Sequence, residues 1–423
     1  MAVIYKSKWI LPANGGVIEN SAFVVENGII TDILLFDELK KADYKEFELI
    51  DFGNSVITPG FINLHTHLQF TALGKFPQEN GKSDFVRWIT SLIKQYGNLS
   101  PEQKLQSFKM GVRQALLSGT TCIAQLSKEE EFFEILCSLP IKAYVFFEVF
   151  ADSKESACRA FNDFKEKHER LTAKLNDSTF IGISPHSIYT VHKDLWGEIS
   201  EYSQQNDLLV HTHLAESKEE IDWVKHGATK LEEITNFTKT NPLKPDKQYK
   251  NPVEYLLELG MLNDRLITAH LNQLDDKALE LLAGNCAGVV SCPRSNLLLH
   301  GNTLNIQKAL VVFKDRIGIG TDSLYSNGDL NMLNEAKTIA NLKTGREQDL
   351  FILLDMLTIN SAKILRLDNK IGSLEIGKDA DFNVFKLDEN ESYKDLLQKE
   401  SPNHVYIKGQ QIVNAGKTTD EFK

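Results

Sequence analysis

An apolar run that ends in two histidines occupies residues 57–67, with the sequence ITPGFINLHTH. Side chains two residues apart on a β-strand point to the same face, so His65 and His67 would direct both imidazoles to one point. Converging imidazoles are typical of a metal site. The pair alone is also compatible with a polar patch or an incidental core pair, so its interpretation depends on what the rest of the chain places beside it.

Composition excludes several functional classes. The chain has 423 residues, a net charge of −11 and five scattered cysteines. This length suffices for a large domain and a smaller one, and the acidic balance argues against a nucleic-acid or acidic-membrane surface. The odd cysteine count predicts reduced thiols, and neither a signal-like N-terminus nor a membrane-length apolar run is found. We therefore expect a cytoplasmic protein without nucleic-acid or membrane partners.

Strand-like apolar runs alternate with helical patterns through the middle of the chain. Ser100 and Pro101 predict the start of one such helix, which Gly119 would end. Eight strands alternating with helices predict a (β/α)₈ barrel, which fits better than a doubly wound sheet. The eight runs are residues 61–67, 120–126, 143–150, 180–184, 208–213, 266–270, 287–292 and 317–321.

Both ends of the chain show short strands separated by turn signals. Asn27 and Gly28 lie between two apolar runs and predict a hairpin. The tail has similar runs at residues 380–385 and 405–409. We predict one small β-sandwich built from residues 1–58 and 370–423, with the barrel formed by residues 59–369.

Polar residues mark the ends of the predicted barrel strands, where active sites of such barrels lie. Four of the eight ends carry histidine and one carries aspartate, although a buried core would favour apolar or small residues there. Nitrogen and carboxylate ligands around one divalent ion, with a position open for water, describe a catalytic metal site. Spacing leaves open whether His211 or His213 is the ligand. The residues are His65, His67, His186, His211, His213, His270 and Asp322.

A carboxylate follows the fifth run at Glu216. A metal lowers the pKa of bound water from 15.7 toward about 7, and hydrolysis then needs a proton shuttle near the attacked atom. Glu216, three residues after His213, suits that role. A solvated loop carboxylate is equally compatible with the spacing.

Several segments together resemble the amidohydrolase superfamily, within its adenosine/cytosine-deaminase-like and chlorohydrolase-like branch. The resemblance covers nearly the whole chain. The matching segments are residues 58–67, 213–216, 269–270, 291–296, 318–323 and 371–381.

The resemblance implies a ligand set and a role for each residue. His65, His67, His213 and Asp322 would bind one Zn²⁺ or Fe²⁺. Glu216 would carry a proton from water to a ring nitrogen, His270 would orient the water, and Asp322 would also accept its proton. His186 would contact the substrate ring or ribose. Dinuclear relatives use a modified lysine at a barrel strand end, and the third and fourth runs end without lysine, so a single metal is expected.

The same resemblance implies a hydrolase of carbon–nitrogen bonds that deaminates a small-molecule nucleoside. Among 5′-modified adenosines we favour 6-amino-6-deoxyfutalosine, of menaquinone biosynthesis. The alternatives are 5′-methylthioadenosine, S-adenosylhomocysteine or adenosine, followed by guanine or cytosine deamination or triazine dechlorination. A non-enzymatic relative is disfavoured because every expected ligand is present. Many relatives assemble, so a homo-oligomer is compatible with the resemblance.

The substrate-binding residues are predicted less directly. Arg87 precedes Trp88 at a position where methylthioadenosine-type relatives have a ribose-binding glutamate. We therefore predict that Arg87 binds a carboxylate of the substrate. The alternative is an exposed arginine on a helix. Trp88, Glu148 and Ser323 are also assigned to the substrate, although barrel core is the alternative for the aromatic run around Glu148. The remaining histidines, in polar or loop-like sequence, are interpreted as solvated; they are His168, His192, His226, His300 and His404.

Overall fold

The computed structural model describes residues 2–14, 16–40, 44, 46–77, 84–227, 229–342 and 350–419. In chain order its strands are β1 (Val3–Ile10), β2 (Ile18–Glu26), β3 (Ile29–Leu35), β4 (Glu48–Asp51), β5 (Ser55–Pro59), β6 (Phe61–Thr66), β7 (Thr120–Ser127), β8 (Lys142–Val149), β9 (Thr179–Pro185), β10 (Val210–Leu214), β11 (Leu266–His270), β12 (Gly288–Ser291), β13 (Ile317–Ile319), β14 (Phe382–Lys386), β15 (His404–Ile407), β16 (Gln410–Asn414) and β17 (Lys417–Thr418).

Its α-helices are α1 (Phe85–Gly97), α2 (Pro101–Leu117), α3 (Glu130–Cys137), α4 (Lys154–Thr172), α5 (Lys193–Gln205), α6 (Lys218–His226), α7 (Leu231–Thr238), α8 (Pro252–Glu258), α9 (Asp276–Ala283), α10 (Pro293–His300), α11 (Ile306–Phe313), α12 (Leu324–Asn327), α13 (Met332–Asn341), α14 (Leu350–Leu357) and α15 (Ile359–Ile364). The predicted helix after Ser100 is α2. Among the described residues, no helix is both long and apolar enough to cross a membrane.

The predicted (β/α)₈ barrel is confirmed. Strands β6 to β13 form one sheet in strict sequence order, and a parallel bridge between Thr66 and Asp322 joins its first and last strands. Each of the eight predicted runs overlaps one of these strands, although the last run extends to Thr321 and β13 ends at Ile319. A doubly wound sheet would reverse its strand order part-way, so this sequential order excludes it.

The predicted β domain from both termini is also confirmed, as a nine-stranded mixed sheet. Its two chain ends join where β5 pairs antiparallel with β14, from Ser55 opposite Lys386 to Pro59 opposite Phe382. Aromatic rings fill its core, and the ring of Tyr5 lies 4.8 Å from that of Phe382. The predicted hairpin turn has φ of 52° at Asn27 and 83° at Gly28, as a type I′ turn requires.

The chain divides into two compact units. One comprises residues 1–63, 112–123 and 330–423 and contains the terminal sheet. The other comprises residues 64–111 and 124–329 and contains every residue assigned to the site. The domain boundaries expected after residues 58 and 369 stay predictions.

Gly320 permits a close approach between the two ends of the barrel sheet. A Cβ built on Gly320 would lie 2.7 Å from the Cβ of His65 and 2.9 Å from its backbone N and O. These atoms belong to a rigid strand and cannot move aside cheaply. A residue without a side chain is therefore needed where the last strand passes the first histidine.

Replacing Gly320 with alanine should lower the free energy of unfolding by about 1–3 kcal/mol, because the added methyl group overpacks this contact. The matched control is Gly197→Ala, in the exposed middle of α5, where a Cβ meets nothing within 4 Å. That control should stabilise the protein by about 0.5–1 kcal/mol. Urea unfolding of both variants checks the prediction, and an unchanged midpoint for Gly320→Ala would contradict it.

Candidate active site and metal centre

Three histidines converge at the carboxyl ends of β6 and β10. The ligand atoms of His65, His67 and His213 all lie within 4.8 Å of one another. Nε2 of His67 is 3.3 Å from Nε2 of His213, and Oδ1 of Asp322 lies 3.8 Å from Nε2 of both His65 and His67. Two nitrogens bound to one tetrahedral zinc ion at about 2.0–2.1 Å lie about 3.3 Å apart. The donor set and its spacing therefore fit one divalent metal ion.

Hydrogen bonds distinguish the two histidines on β10. Nδ1 of His213 donates to the carbonyl of His186 at 2.8 Å, which leaves its Nε2 as the donor atom that faces the cluster. Nε2 of His211 instead contacts the carbonyl of Leu64 at 3.2 Å. The structure thus brings His213, rather than His211, to the proposed metal.

Two serine hydroxyls orient Asp322. Its Oδ2 accepts hydrogen bonds from Oγ of Ser295 at 2.7 Å and from Oγ of Ser326 at 2.8 Å. With Oδ2 engaged in this way, Oδ1 is the oxygen that faces His65 and His67, at the end of β6. Hydrogen bonds of this kind hold a ligating carboxylate in one rotamer.

The buried imidazoles are held neutral. Burial, together with neighbouring imidazoles, lowers the pKa of His65 well below its usual value. Burial likewise lowers the pKa of His67 to about 4, against the opposing charge of Asp322. Burial and His270 lower the pKa of His213 as well. A metal binds the unprotonated ring, so these groups are ready to bind one without first losing a proton.

Left-handed backbone marks three of the strand ends. Ala215, His270 and Asp322 have φ of 50°, 79° and 57°, a region that residues with a side chain rarely adopt. Such strain persists only where surrounding structure enforces it, and it is common at functional sites. Here it accompanies β10, β11 and β13, where each strand ends beside the cluster.

The backbone N–H and the backbone carbonyl of Glu216 are both hydrogen-bonded. Its N–H donates to Oε2 of Glu220 at 3.0 Å, and its carbonyl accepts from Nδ2 of Asn272 at 2.9 Å. The residue is only 7 % exposed. Burial opposes its charge, but His270 and a hydrogen bond from His300 outweigh burial and hold the pKa of Glu216 well below its usual range.

His270 is positioned by Asn296. Nδ1 of His270 contacts Oδ1 of Asn296 at 2.9 Å, so that nitrogen carries the proton and donates it. Nε2 is buried and has no hydrogen-bond partner among the described residues. In the neutral ring, Nε2 could accept a hydrogen bond from water beside the cluster, as the predicted role requires.

One histidine that the sequence left aside belongs to this site. His300 was interpreted as solvated, but its side chain is 5 % exposed and its Nε2 lies 3.3 Å from Oε1 of Glu216. That interpretation is wrong, because His300 ends α10 and turns inward against the ring of Phe85. A polar neighbourhood in sequence does not report which way a helix terminus faces.

A cavity of about 570 Å³ opens from the cluster. His67, His213, Asp322 and Glu216 lie in its wall. Of the residues assigned to the substrate, four also line it, namely His186, Trp88, Glu148 and Ser323. The indole N–H of Trp88 is buried and has no acceptor among the described residues, so a ligand in the cavity can supply one.

Arg87 lies elsewhere. On α1 the residues Phe85, Trp88 and Leu92 are buried, whereas Arg87 is exposed and does not line this cavity. Arg87 lines a separate surface pocket instead, together with Asp84 and Lys94. The geometry gives no support to the contact assigned to Arg87.

Two further ionisable residues, Lys128 and Glu148, line the cavity. Lys128, which follows β7 and was not predicted, places its ammonium 3.7 Å from the ring centroid of Phe150. Burial raises the pKa of Glu148 to about 7, although Lys128 opposes that rise. No motif in the sequence marked Lys128; only its place directly after a strand, at the functional end of the barrel, could have suggested it.

A second group of possible ligands comprises Glu148, His186 and His213. It shares His213 with the first group. Since Nδ1 of His213 is engaged by a carbonyl, its one remaining nitrogen serves a single ion. The expectation of one metal stays a prediction.

Comparison with known proteins identifies the family. A sequence model described as "Amidohydrolase family" matches residues 56–412. The chain belongs to the amidohydrolase family. The predicted class, a hydrolase of carbon–nitrogen bonds, is thereby confirmed, and the cluster of histidines supports a divalent metal. The choice between zinc and iron stays a prediction.

Curated relatives and a solved structure agree with this placement. The chain is 30 % identical to the 5-methylthioadenosine/S-adenosylhomocysteine deaminase of Thermodesulfovibrio yellowstonii, over 91 % of this chain and 85 % of that one. It is 27 % identical to the aminodeoxyfutalosine deaminase of Nitratiruptor sp., over 85 % and 87 %. An adenosine deaminase from Xanthomonas campestris with bound zinc superposes with a TM-score of 0.82 at 23 % identity, covering 99 % of this chain and 94 % of that one, which shows the shared fold.

Removing a serine that orients Asp322 should weaken metal binding. We expect Ser295→Ala and Ser326→Ala each to lower zinc affinity by about 10–100-fold, because Oδ2 loses a hydrogen bond and the carboxylate can rotate. The matched control is Ser203→Ala, a buried serine whose hydroxyl bonds a carbonyl within α5. Competition with a chromophoric chelator measures all three. Equal affinities for the variants and the control would show that the hydroxyls do not orient the ligand.

Proposed function

We propose that the protein is a metal-dependent aminohydrolase that deaminates a 5′-modified adenosine at its 6-amino group and releases ammonia. One observation supports this most directly. A buried carboxylate, Glu216, and a buried ring nitrogen without a hydrogen-bond partner among the described residues, Nε2 of His270, lie beside a set of predicted metal ligands in the wall of a cavity. Attack of water on an aromatic amidine carbon needs this combination.

His65, His67, His213 and Asp322 would hold the divalent ion, which would supply the Lewis acidity that makes water a nucleophile near neutral pH. Glu216 takes a proton from the attacking water and gives it to the ring nitrogen next to the attacked carbon. His270 accepts a hydrogen bond from the same water and fixes its direction, while Asp322 accepts its second proton. The bond from ring carbon to the amino nitrogen then breaks, and ammonia leaves with that proton.

The outer part of the cavity supports a substrate that is larger than a free base. Its lining continues from the cluster to apolar side chains of α1 and α7, among them Ile89, Leu92, Leu231 and Ile234. A purine and ribose would leave this region for a 5′ substituent. His186, stacked on Phe150 with ring centroids 4.5 Å apart, lies beside the cluster where it can contact the purine or ribose.

We propose 6-amino-6-deoxyfutalosine as the substrate to test first. Its benzoate carries a carboxylate, and the cavity wall offers the ammonium of Lys128, which lies over the ring of Phe150. Lys128, in the cavity wall, thus replaces the exposed Arg87 as the proposed partner of that carboxylate. A relative named aminodeoxyfutalosine deaminase supports the same choice.

A second candidate substrate is 5′-methylthioadenosine or S-adenosylhomocysteine. The apolar faces of α1 and α7 suit a thioether substituent, and the relative with 30 % identity is named for these two nucleosides. Both candidates would undergo the same reaction at the purine ring. Only their 5′ substituents, which would lie in the outer cavity, distinguish them.

The proposal predicts ammonia release from a nucleoside panel by zinc- or iron-loaded protein. We expect turnover of 6-amino-6-deoxyfutalosine, 5′-methylthioadenosine, S-adenosylhomocysteine or adenosine, with guanine and cytosine at least a hundredfold poorer in kcat/KM, about 2.7 kcal/mol. Glu216→Gln is the control, and it should retain metal while kcat falls by about 10²–10⁴-fold. Metal-loaded protein that deaminates none of the adenosines would refute the proposed function.

A further prediction concerns which side chain, Lys128 or Arg87, binds the carboxylate of the substrate. Lys128→Met should lower kcat/KM for 6-amino-6-deoxyfutalosine by about tenfold or more and leave 5′-methylthioadenosine within about threefold, because only the former carries a benzoate carboxylate. Arg87→Met, which removes an exposed cation of α1, is the matched control and should change neither value. Steady-state kinetics on both substrates decide it. A loss confined to Arg87→Met would instead restore the first assignment.

A further inference from the structure

His300 has no role in the reaction proposed above, yet its side chain is buried against Glu216. Its ring is enclosed by Phe85, with ring centroids 5.3 Å apart, and by Glu216. Gly301 follows it with φ of 71° and ends α10. A histidine in the last turn of a helix commonly faces solvent, whereas this one is buried against a carboxylate.

The partner fixes the direction of the hydrogen bond. An ionised carboxylate only accepts hydrogen bonds, so Nε2 of His300 carries the proton and donates it to Oε1 of Glu216 over 3.3 Å. The contacts of Glu220 and Asn272 reach only the backbone of Glu216. Among the described residues, His300 is therefore the one that hydrogen-bonds the carboxylate itself.

We propose that His300 is a positioning residue that reserves Oε1 of Glu216 and leaves Oε2 as the oxygen that shuttles the proton. This inference rests on the proposed function. In the cycle, one proton passes from water to Oε2 and from Oε2 to the ring nitrogen, and His300 keeps its own proton throughout.

The physical need for such a residue follows from the freedom of the side chain. The terminal torsion of glutamate is broad and nearly two-fold, so backbone contacts alone do not fix which oxygen faces the substrate. A displacement of about 1 Å in a proton-transfer group costs on the order of a hundredfold in rate. His300 packs against Phe85, so its ring N–H has a fixed position and holds Oε1 of Glu216 in one orientation.

Three variants test the inference kinetically. We expect His300→Leu to lower kcat by about tenfold or more with KM within about threefold, since substrate binding does not depend on Oε1. His300→Gln keeps an N–H at a similar reach and should restore most of the rate. The matched control is His168→Leu on α4, whose ring bonds the hydroxyl of Tyr202, and it should leave kcat unchanged. Unchanged kcat in His300→Leu would overturn the inference.

A double-mutant cycle separates positioning from a merely structural effect. If His300 acts through Glu216, His300→Leu should have little further effect on the residual rate of Glu216→Gln. A full and additive loss in that background would show that His300 stabilises the fold or binds substrate, and would overturn the inference.

A spectroscopic measurement decides the contact without any activity. In protein labelled with ¹⁵N-histidine, the ring signals that vanish in His300→Leu belong to His300. They should report a protonated Nε2 and shift in Glu216→Leu. An unprotonated Nε2, or signals indifferent to Glu216→Leu, would overturn the inference. If the wild type deaminates no nucleoside, the proposed function fails, while this spectrum still decides whether His300 holds Glu216.

Discussion

The meeting of the first and last barrel strands is the constraint on which the site depends. The backbone N–H of Asp322 donates to the carbonyl of His65 at 2.9 Å, and Gly320 lets β13 lie against that residue. Two ligands from β6 and one from the end of β13 reach the same point only because these strands touch. The contact that closes the barrel therefore also positions these residues, and Asp322 lies there in a left-handed backbone conformation.

Burial determines the electrostatics of the cluster. Several imidazoles packed within about 5 Å of one another could not all be charged, so desolvation and mutual repulsion keep them neutral. One carboxylate, Asp322, faces them, and its outer oxygen is compensated by two hydroxyls rather than by a cation. The predicted ligand set thus combines uncharged nitrogen donors with one carboxylate, an arrangement that a divalent cation completes.

Features that depend on strand order and periodicity could be predicted from the sequence. Each predicted run overlaps a barrel strand because apolar periodicity is local, and strand ends meet because parallel strands in a barrel share one rim. This is why His65, His67, His213, His270 and Asp322 lie together. Sequence spacing alone could not choose between His211 and His213, because the choice depends on a hydrogen bond to the carbonyl of His186 on the neighbouring strand.

Residues on helices and loops were harder to predict, for a specific physical reason. A strand alternates between two faces, so its direction follows from one anchor, whereas a helical side chain's direction depends on the phase of the helix against the barrel. Arg87 was assigned to the pocket and faces out, while His300 was assigned to solvent and faces in. Both lie near the ends of helices, α1 and α10, whose contact through Phe85 and His300 is made only after the chain has folded. The parts of the site that bind metal are therefore encoded by strand ends, and the parts that position the proton shuttle and the outer substituent depend on how helices pack over them. A change in these helices can alter substrate preference while the strand ends stay the same, which is consistent with deaminases named for different nucleosides being similar to this chain along most of its length.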